Sequence, residues 1–523
     1  MFKPIILVIM DGWGISDDQR GNAIAKAKLP TIEKLNQFYP HISLQASGIS
    51  VGLPWGEAGN SEVGHITLGT GQTIYQNMPR ITMSIQNGEF FRNEAFLSAV
   101  EYAKKNNSAL HLMGLVGKGG IHSTIDHLYG LLELMRDQKF TNVFLHIFTD
   151  GRDSPPMAAV ESIKELQNRL NTYRLGKIAT IGGRYYGMDR NNNWDRVKLA
   201  YDAIAQGIGE KIEDPIDYLN KSYKKEIFDE YIVPAVITEN GNPIGTIKNN
   251  DAIIFFNFRE DRARQLTKAF VLPSFDKFER KYIEKLFFVT MVQYENDLPV
   301  TVAYPVIEVK KCLGEVLSKH KLTQLRIAET EKFAHVTYFF NGGGEDAFFG
   351  EDRVIVPSKD VPRFDEAPEM SAQEITDKVI SFIRQNKYDF ILINYANADI
   401  VGHTGNIEAA ITAVETVDNC LEQLVKEVLL KNGCLLITAD HGNAEEMINL
   451  KTGENDTEHS ANPVPLWFVT GENHSEIPLE NSYVFTASGL LSDIAPTILD
   501  LLEIEKPTEM TGESLLPDLG FKK

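Results

Sequence analysis

Short apolar runs rich in β-branched residues recur along this chain, and they alternate with segments whose apolar residues recur at intervals of three and four. Runs of about four to eight residues are typical of buried strands, and the three-four spacing is typical of amphipathic helices. The apolar runs are Ile5–Met10, Leu110–Val116, Val143–Phe148, Ile178–Ile181, Ala252–Phe256, Phe390–Ile393 and Leu435–Ile437. The helical segments include Glu161–Leu170, Ala372–Asn386 and Ala409–Lys431. This alternation predicts an α/β fold with largely parallel sheets.

Composition excludes several classes of partner. The 52 Lys and Arg against 72 Asp and Glu give a formal net charge of −20, which argues against non-specific binding to nucleic acid or an anionic membrane. The three cysteines, Cys312, Cys420 and Cys434, form no CxxC pair, so we expect reduced thiols rather than a disulfide framework or a cysteine zinc site. No apolar stretch approaches the ~18 residues of a membrane span. We therefore expect a cytoplasmic protein with no membrane partner.

Acids and histidines follow three of the predicted strands. Ligands of open α/β sheets bind beyond the carboxyl ends of the strands, where these side chains would lie. The set comprises Asp11, Asp399, His403, Asp440 and His441, with His459 in a later loop. Carboxylate and imidazole ligands suit Mn²⁺ or Zn²⁺, and six of them are more than one catalytic ion needs. The pattern predicts a site for two metal ions.

A structural interpretation competes with each member of this set. A single Asp after a strand is more often a helix N-cap, and a lone His is more often structural than a ligand. His111 and His146 lie inside apolar runs, so we interpret them as structural. Chance placement of the whole set at three strand ends is improbable, which favours the metal site.

Ser61 is the candidate nucleophile. Small residues precede it, and a helix starting nearby would place its hydroxyl beside free backbone N–H groups that favour an anion. Coordination to a divalent cation would activate the hydroxyl without a histidine base. From spacing alone, the better interpretation of Ser61 is a helix N-cap.

Cations follow the strands in the middle of the chain. The planar guanidinium of arginine binds phosphate and carboxylate through paired hydrogen bonds and stays charged. A set of arginines at these strand ends therefore predicts a small dianionic or trianionic metabolite as the ligand. Pairing with neighbouring acids on a solvated face is the alternative, and we prefer it for Arg196 and Arg264. The remaining cations of the set are His122, Arg152, Arg184, Arg190, Arg259 and Arg262.

Taken together, the two sets make the chain resemble the cofactor-independent phosphoglycerate mutases, members of the alkaline phosphatase superfamily. The resemblance runs from Ile5 to about Leu515. Its motifs occur in the family's order: Met10–Gly14, Gly59–His65, Gly119–Ser123, Asp150–Pro156, Gly183–Arg190, Phe256–Leu266, Ala328–Thr337, Asn397–Gly405, Thr438–Asn443 and Asp493–Thr497.

The resemblance implies two domains and a role for each predicted residue. Residues 1–75 and 309–523 would form a phosphatase-like, metal-binding domain, and residues 76–308 an inserted transferase domain. Asp399, His403 and His459 would hold one metal ion, and the other would be held by Asp11, Ser61, Asp440 and His441. The substrate contacts would be His122, Arg152, Asp153, Arg184, Arg190, Arg259, Arg262 and Lys332.

The implied reaction interconverts 3-phosphoglycerate and 2-phosphoglycerate without a bisphosphate cofactor. Ser61 would attack the phosphate in line while the two ions and Lys332 neutralise the developing charge. Asp153 is the candidate general acid and base for the substrate hydroxyls. A phosphoserine would then return the phosphoryl group to the other oxygen, with domain closure excluding water.

The sequence leaves several points open. A phosphatase, phosphodiesterase or phosphopentomutase of the same superfamily would keep the metal ligands without needing the cation set. A catalytically silent phosphate-binding protein is a second alternative. These ligands bind Mn²⁺, Zn²⁺ and Co²⁺ alike, although the resemblance favours Mn²⁺ and a monomer. Glu57, Lys118, Thr124 and Glu260 depart from the family pattern, and their effect on rate is open.

Overall fold

The computed structural model describes residues 2–479 and 487–521. The chain forms two compact units, each with its own sheet and hydrophobic core: Met1–Gln76 with Glu308–Lys523, and Asn77–Ile307. The first unit is therefore discontinuous in sequence, and the second is inserted into it after the segment that carries Ser61.

Strands and helices alternate through both units. The strands, in chain order, are β1 (Ile5–Met10), β2 (His41–Gln45), β3 (Leu110–Val116), β4 (Val143–Thr149), β5 (Lys177–Gly183), β6 (Glu210–Ile212), β7 (Ala235–Glu239), β8 (Asn242–Pro243), β9 (Ala252–Phe255), β10 (Phe287–Val292), β11 (Thr301–Tyr304), β12 (Gln324–Glu329), β13 (Glu351–Val356), β14 (Phe390–Tyr395), β15 (Cys434–Thr438), β16 (Val464–Val469) and β17 (Gly489–Leu490). The α-helices are α1 (Ala23–Lys26), α2 (Pro30–Phe38), α3 (Ser61–Thr70), α4 (Asn77–Gln86), α5 (Glu94–Asn106), α6 (Ile125–Asp137), α7 (Ala159–Tyr173), α8 (Arg184–Gly187), α9 (Trp194–Tyr201), α10 (Pro215–Tyr223), α11 (Arg264–Val271), α12 (Leu313–Lys319), α13 (Ala372–Arg384), α14 (Asn397–Gly402), α15 (Ile407–Leu430) and α16 (Ile494–Leu501). Short 3₁₀ or π turns occupy Gly48–Val51, Phe90–Arg92, Asp202–Gln206, Asp229–Tyr231, Thr330–Lys332, His335–Phe339, Phe364–Glu366 and Leu491–Asp493.

The sheet of the first unit has the strand order β13-β12-β14-β1-β15-β16-β2-β17. The strands from β13 to β15 run parallel, whereas β16 is antiparallel to both β15 and β2. Every residue of β1 is buried, as its unbroken apolar run predicts for a central parallel strand covered on both faces. Ile9 of β1 pairs with Asn394 of β14 and with Thr438 of β15. The residues that follow these three strands therefore emerge side by side at one edge of the sheet.

The sheet of the second unit has the order β11-β10-β9-β3-β4-β5-β7-β6, with β8 paired to β7. The strands β9, β3, β4 and β5 are parallel, and β7 is antiparallel to β5. Val116 pairs with Thr149, which in turn pairs with Gly183. The carboxyl ends of β3, β4 and β5 are thus level, and the loops that follow them start from the same edge.

The predicted α/β class with parallel sheets is confirmed. Most predicted apolar runs coincide with strands, but some strands are longer than their apolar run. Thr149 and Gly183 extend β4 and β5, because residues that are not apolar still complete the ladder beside a neighbouring strand. In the reverse sense, β9 ends at Phe255, one residue before the predicted limit.

The three cysteines are buried free thiols. Burial raises the pKa of the Cys312 and Cys420 thiols to about 11, and it raises the pKa of Cys434 as well. Protonated, buried thiols are unreactive, as predicted for structural cysteines. Across residues 2–479 and 487–521, every helix is too short or too polar to cross a membrane.

Candidate active site

Three adjacent strands of the first unit carry the predicted metal ligands. Asp11 follows β1, Asp399 lies in α14 directly after β14, and Asp440 and His441 follow β15. All four side chains are buried. Gly12 has a positive φ of 77°, and a Cβ there would stand 2.6 Å from the Asp399 Cα, so this turn requires glycine to bring the two loops together.

Ser61 is the first residue of α3, and the N-cap is Asn60. The Asn60 side chain accepts a hydrogen bond from the Val63 backbone N–H at 3.1 Å. The interpretation of Ser61 as a helix N-cap is therefore wrong, because Asn60 already performs the capping and leaves the serine hydroxyl unused by the helix. Gly64 lets the helix approach the neighbouring loop, since a Cβ there would stand 2.8 Å from the Asp440 Cβ.

The Ser61 hydroxyl lies among charged partners. Its Oγ is 3.1 Å from Asp11 Oδ1, 2.9 Å from His441 Nε2 and 2.7 Å from Lys332 Nζ. The Lys332 ammonium also donates to Asp11 Oδ1 and Asp399 Oδ2, both at 2.7 Å. All of these groups are buried, so the lysine neutralises two carboxylates while touching the candidate nucleophile.

A second cluster forms around the other oxygen of Asp399. Asp399 Oδ1 lies 3.2 Å from His403 Nε2 and 3.2 Å from His459 Nε2. The Nδ1 atoms of the two rings face the backbone carbonyls of Thr457, at 2.6 Å, and Gly59, at 2.8 Å. A carbonyl only accepts, so each Nδ1 carries a proton and each Nε2 is directed toward Asp399. This is the usual arrangement of metal-ligating histidines.

The charges in this region shift the pKa values of its members. Burial alone would raise the pKa of Asp11 and Asp399, but the Lys332 ammonium and the neighbouring histidines outweigh it and hold both well below their usual range. Burial would lower the pKa of Lys332, but Asp11, Asp399 and Asp440 raise it above its usual value. Asp440 and Asp11 likewise overcome burial and raise the pKa of His441 to about 10. The cluster therefore carries protons near pH 7 that a cation could replace.

The residues in this cluster fit divalent metal ions. Possible ligand atoms lie within 4.8 Å of one another in three groups: Asp399 with His403 and His459, Asp11 with Asp399 and His441, and Asp11 with His65 and Asp440. Asp440 Oδ2 is buried and accepts no hydrogen bond from the described residues. Its charged neighbours are His65 Nδ1 at 3.2 Å and His441 Nε2 at 3.6 Å. A buried carboxylate oxygen without a hydrogen bond is costly, which favours a role for Asp440 as a metal ligand.

Three further residues of this site are not among the sequence predictions. His65 Nδ1 donates to the Ser61 carbonyl at 2.8 Å, and its Nε2 accepts from Asn394 at 3.1 Å. Asn394 also donates to Asp11 Oδ2 at 2.7 Å, and Asn443 donates to Asp399 Oδ1 at 3.1 Å. With both ring nitrogens engaged, His65 orients Ser61 rather than ligating. His65, Asn394 and Asn443 each lie inside or beside a predicted motif or strand, and this adjacency is the one sequence signal that could have identified them.

In the second unit, Arg184 is the buried arginine of the predicted cation set. It follows β5, and its guanidinium Nη1 donates to Asp150 Oδ1 at 2.6 Å and to Asp153 Oδ2 at 2.5 Å. The Arg184 side chain is only 2% exposed. Burial would lower the pKa of Arg184, but Asp153 and Asp150 outweigh it and raise the pKa. The pair of acids holds this cation at the carboxyl edge of the sheet.

Four arginines of the set influence one another. Burial lowers the pKa of Arg262, and the positive charges of Arg190, Arg184 and Arg152 lower it further. Like charges raise one another's free energy at short range, so this concentration of cations favours an anion. Within the second unit, the fold thus brings together arginines that follow different strands.

Asp261 links the other members of the set. Its carboxylate accepts from Arg190 Nη1 at 2.7 Å and lies 3.4 Å from Arg259 Nε and 3.5 Å from His122 Nδ1. Burial and the nearby Arg184 lower the pKa of His122 to about 4, so the ring is neutral near pH 7. A neutral buried imidazole beside arginines offers a hydrogen bond without adding charge.

The residues interpreted as structural have the expected kinds of partner. Arg196 pairs with Asp189 at 3.4 Å, and Arg264 pairs with Glu260 at 3.4 Å. His111 Nδ1 and His146 Nε2 lie 2.9 Å apart inside the second sheet, where both rings are buried. These side chains satisfy one another or a neighbouring acid rather than facing the predicted anion.

The chain is similar to proteins of one family along almost its whole length. The family model described as BPG-independent PGAM N-terminus matches residues 81–296. A protein of Clostridium perfringens (strain 13 / Type A), named 2,3-bisphosphoglycerate-independent phosphoglycerate mutase, is 50% identical over 98% of this chain and 99% of its own length. A protein of Methanosarcina barkeri, named 2,3-bisphosphoglycerate-independent phosphoglycerate mutase 2, is 49% identical over 98% of each chain.

A solved structure is similar as well. A crystal structure of Leishmania mexicana phosphoglycerate mutase at low cobalt concentration is 30% identical in sequence, with a TM-score of 0.52. The match covers 98% of this chain and 97% of that chain. The match therefore spans both units.

Proposed function

The chain belongs to the family of 2,3-bisphosphoglycerate-independent phosphoglycerate mutases, and we propose that the buried cluster around Ser61 is where it interconverts 3-phosphoglycerate and 2-phosphoglycerate. The observation that carries this location is the setting of the Ser61 hydroxyl at the start of α3. It lies within 3.1 Å of Asp11, His441 and Lys332. A hydroxyl among these groups and the free N–H groups of a helix N-terminus is suited to attack a phosphoryl group and to carry it afterwards.

Two divalent metal ions complete the proposed site. Asp399, His403 and His459 would hold one ion, and Asp11, Ser61, Asp440 and His441 the other. The carboxylate and imidazole donors accept Mn²⁺, Zn²⁺ or Co²⁺, and we propose Mn²⁺ as the ion used. Such ions supply positive charge that helps the hydroxyl to ionise and neutralises a phosphoryl group.

Ser61 and Lys332 carry out the transfer in this proposal. Ser61 Oγ forms a bond to phosphorus as the bond to the glycerate oxygen breaks, which leaves a phosphoserine. Lys332, already 2.7 Å from Ser61 Oγ, stabilises the negative charge on the transferring group. The other glycerate hydroxyl oxygen then attacks the phosphoserine, and Ser61 is released unchanged.

The cation cluster of the second unit is proposed to hold the glycerate. Its charged donors suit a carboxylate and a phosphate, and bidentate arginine contacts would keep the intermediate from leaving. Asp153 is the proposed acid and base: it gives a proton to the oxygen that loses the phosphoryl group and takes one from the hydroxyl that gains it. The proposed substrate contacts are His122, Arg152, Asp153, Arg184, Arg190, Arg259 and Arg262, with Lys332 from the first unit.

The two units have separate roles in this proposal. The discontinuous unit, Met1–Gln76 with Glu308–Lys523, would bind the metal ions and bear the nucleophile, and the unit Asn77–Ile307 would bind the substrate. We propose further that the protein acts as a monomer in the cytoplasm, where reduced thiols and a phosphorylated metabolite are both expected.

An assay of the purified protein tests the proposal. With Mn²⁺ present, 3-phosphoglycerate should be converted to 2-phosphoglycerate without added 2,3-bisphosphoglycerate, and Ser61→Ala should abolish the conversion. Release of inorganic phosphate with no 2-phosphoglycerate would favour a phosphatase. An active Ser61→Ala variant would reject the proposed nucleophile.

A further inference from the structure

Glu445 is a buried carboxylate that lies beside the proposed metal ligands without facing Ser61. Its side chain is 1% exposed. Oε2 accepts hydrogen bonds from the backbone N–H groups of Gly14 and Asn443, both at 2.9 Å. Oε1 accepts from the Ser460 hydroxyl and, at 3.0 Å, from the Asn462 side chain. One side chain thus receives four hydrogen bonds from three separate segments.

Each of these segments carries a proposed ligand. Gly14 lies three residues after Asp11, Asn443 lies two residues after His441, and Ser460 directly follows His459. The Asn443 side chain extends the connection, because it donates to Asp399 Oδ1 at 3.1 Å. Glu445 is therefore connected to all four segments that supply the ligand carboxylates and imidazoles.

Close packing shows that the loops are built around this carboxylate. A Cβ at Gly14 would stand 2.3 Å from the Glu445 carboxylate carbon, and a Cβ at Gly442 would stand 2.3 Å from Oε1. Real Cβ atoms do not approach other atoms this closely, so both positions must be glycine while Glu445 is in place. Gly14 in the Met10–Gly14 motif and Gly442 in the Thr438–Asn443 motif therefore have this packing role.

We propose that Glu445 is a positioning residue that holds the ligand-bearing loops in the geometry for binding metal ions. An ionised carboxylate is acceptor-only, and here it meets donors on both oxygens. A glutamine would present two N–H groups to some of these donors and would remove the negative charge. The inference deepens the proposed function and rests on its assignment of the metal ligands.

Substitutions at three positions distinguish a positioning role of Glu445 from a role in stabilising the fold alone. Glu445→Gln should weaken the binding of both Mn²⁺ equivalents by about 10- to 100-fold, as changes to outer partners of ligands do. Ser460→Ala removes one of the two hydrogen bonds that the His459 segment donates to Glu445, since Asn462 still donates the other, and should weaken one equivalent to a smaller extent. Glu446→Gln is the matched control: Glu446 also accepts from Asn462, at 2.9 Å, yet should bind Mn²⁺ like the wild type.

The measurements are Mn²⁺ titration by calorimetry, the electron paramagnetic resonance spectrum of bound Mn²⁺, and the unfolding temperature of the metal-free protein. Weaker Mn²⁺ binding by Glu445→Gln, with an altered spectrum, supports the proposal. Wild-type affinity in Glu445→Gln, whatever its unfolding temperature, overturns it. If Glu445→Gln does not fold, Ser460→Ala decides: one weakened equivalent supports positioning, and two unchanged equivalents overturn it.

These outcomes are separate from those that test the proposed function. A wild-type protein that binds Mn²⁺ but makes no 2-phosphoglycerate contradicts the proposed function, while the affinities of the variants still decide the role of Glu445. A wild-type protein that makes 2-phosphoglycerate, with Mn²⁺ affinity unchanged by Glu445→Gln, overturns the positioning role alone.

Discussion

The Nε2 atoms of His403 and His459 lie 3.0 Å apart. Each ring donates its Nδ1 proton to a backbone carbonyl, and the Asp399 carboxylate lies 3.2 Å from both Nε2 atoms. Three electron-pair donors at these distances repel one another unless a proton or a metal cation lies among them. In the metal-free protein a proton can lie there, and a bound metal ion would replace it.

Divalent metal should therefore stabilise the folded protein. Free Mn²⁺ at about one hundred times its dissociation constant should add about 2.7 kcal/mol to the free energy of unfolding, because the unfolded chain has no assembled site. Thermal unfolding in Mn²⁺ and in EDTA measures the difference. His459→Ala should lose most of it, and an unfolding temperature that does not respond to Mn²⁺ would contradict direct ligation by the histidines.

Substitution of Lys332 should affect turnover more than metal binding. Lys332→Met removes the ammonium that contacts Ser61 Oγ, and kcat should fall by about 10²- to 10³-fold, as when a transition-state donor is lost. The affinity for Mn²⁺ should not fall, because the variant frees Asp11 and Asp399 from a competing cation. Lys378→Met, which alters an exposed pair with Glu374, is the control. A kcat within twofold of the wild type would exclude the proposed role.

Metal affinity should rise with pH. In the metal-free protein Asp440 and Asp11 outweigh burial and raise the pKa of His441 to about 10, and the pKa of His403 is also raised, mainly by its hydrogen bond to Asp399. The His441 imidazole therefore holds a proton near pH 7 that a ligand must release, and the raised pKa of His403 favours its protonated form in the same direction. For each proton released, the apparent dissociation constant for Mn²⁺ should fall about tenfold per pH unit between about pH 6 and 8. Calorimetry in buffers of different ionisation enthalpy counts the protons, and equal affinity at both pH values would refute the exchange.

Arg190 and Arg196 should differ in their effect on substrate binding. The Arg190 side chain is 47% exposed and pairs with Asp261, so Arg190→Ala should leave stability within about 1 kcal/mol of the wild type. Loss of a charged hydrogen bond to substrate should nevertheless raise KM by about tenfold or more. Arg196→Ala, which breaks the pair with Asp189 and the cation–π contact with the Tyr185 ring, should leave KM unchanged. Equal KM values for the two variants would argue against the proposed substrate contacts.

Arg184 should be required for stability. It is buried against Asp150 and Asp153, so Arg184→Met leaves two acids without their cation and should lower the free energy of unfolding by about 3–5 kcal/mol. Arg136→Met is the control, since Arg136 is 43% exposed beside Glu133, and this variant should unfold at nearly the same urea concentration as the wild type. Urea unfolding of the two variants provides the comparison, and similar midpoints would show that the buried pairs contribute little.

Local patterns were sufficient to predict the fold class and, to within about two residues, the ends of the strands that carry the two sites. The apolar run Ile5–Met10 coincides with β1, because a strand buried on both faces must be apolar at every position. The polar residue that follows such a run lies at the carboxyl edge of the sheet wherever the strand is placed. The residue types at those positions therefore pointed to a metal site and an anion site before any contact was known.

Contacts between distant segments could not be predicted in this way. Asn60 rather than Ser61 caps α3, although either of these adjacent polar residues is a suitable N-cap by residue type. The sequence around Asn394 indicates only the end of a strand, yet its side chain donates hydrogen bonds to both Asp11 and His65. Glu445 reads as an ordinary acidic residue beyond a motif, and nothing within its own segment indicates four donors from three segments.

The amino-acid sequence by itself determined the alternation of strands and helices and the chemical types of residue at each strand end. Only the tertiary structure decided which of them meet, because strand order and register set distances between residues hundreds of positions apart, such as Lys332 and Asp11. Burial then decided their charge. In a region closed to water, an acid is held ionised by the cation packed against it, and that pairing exists only in the folded chain.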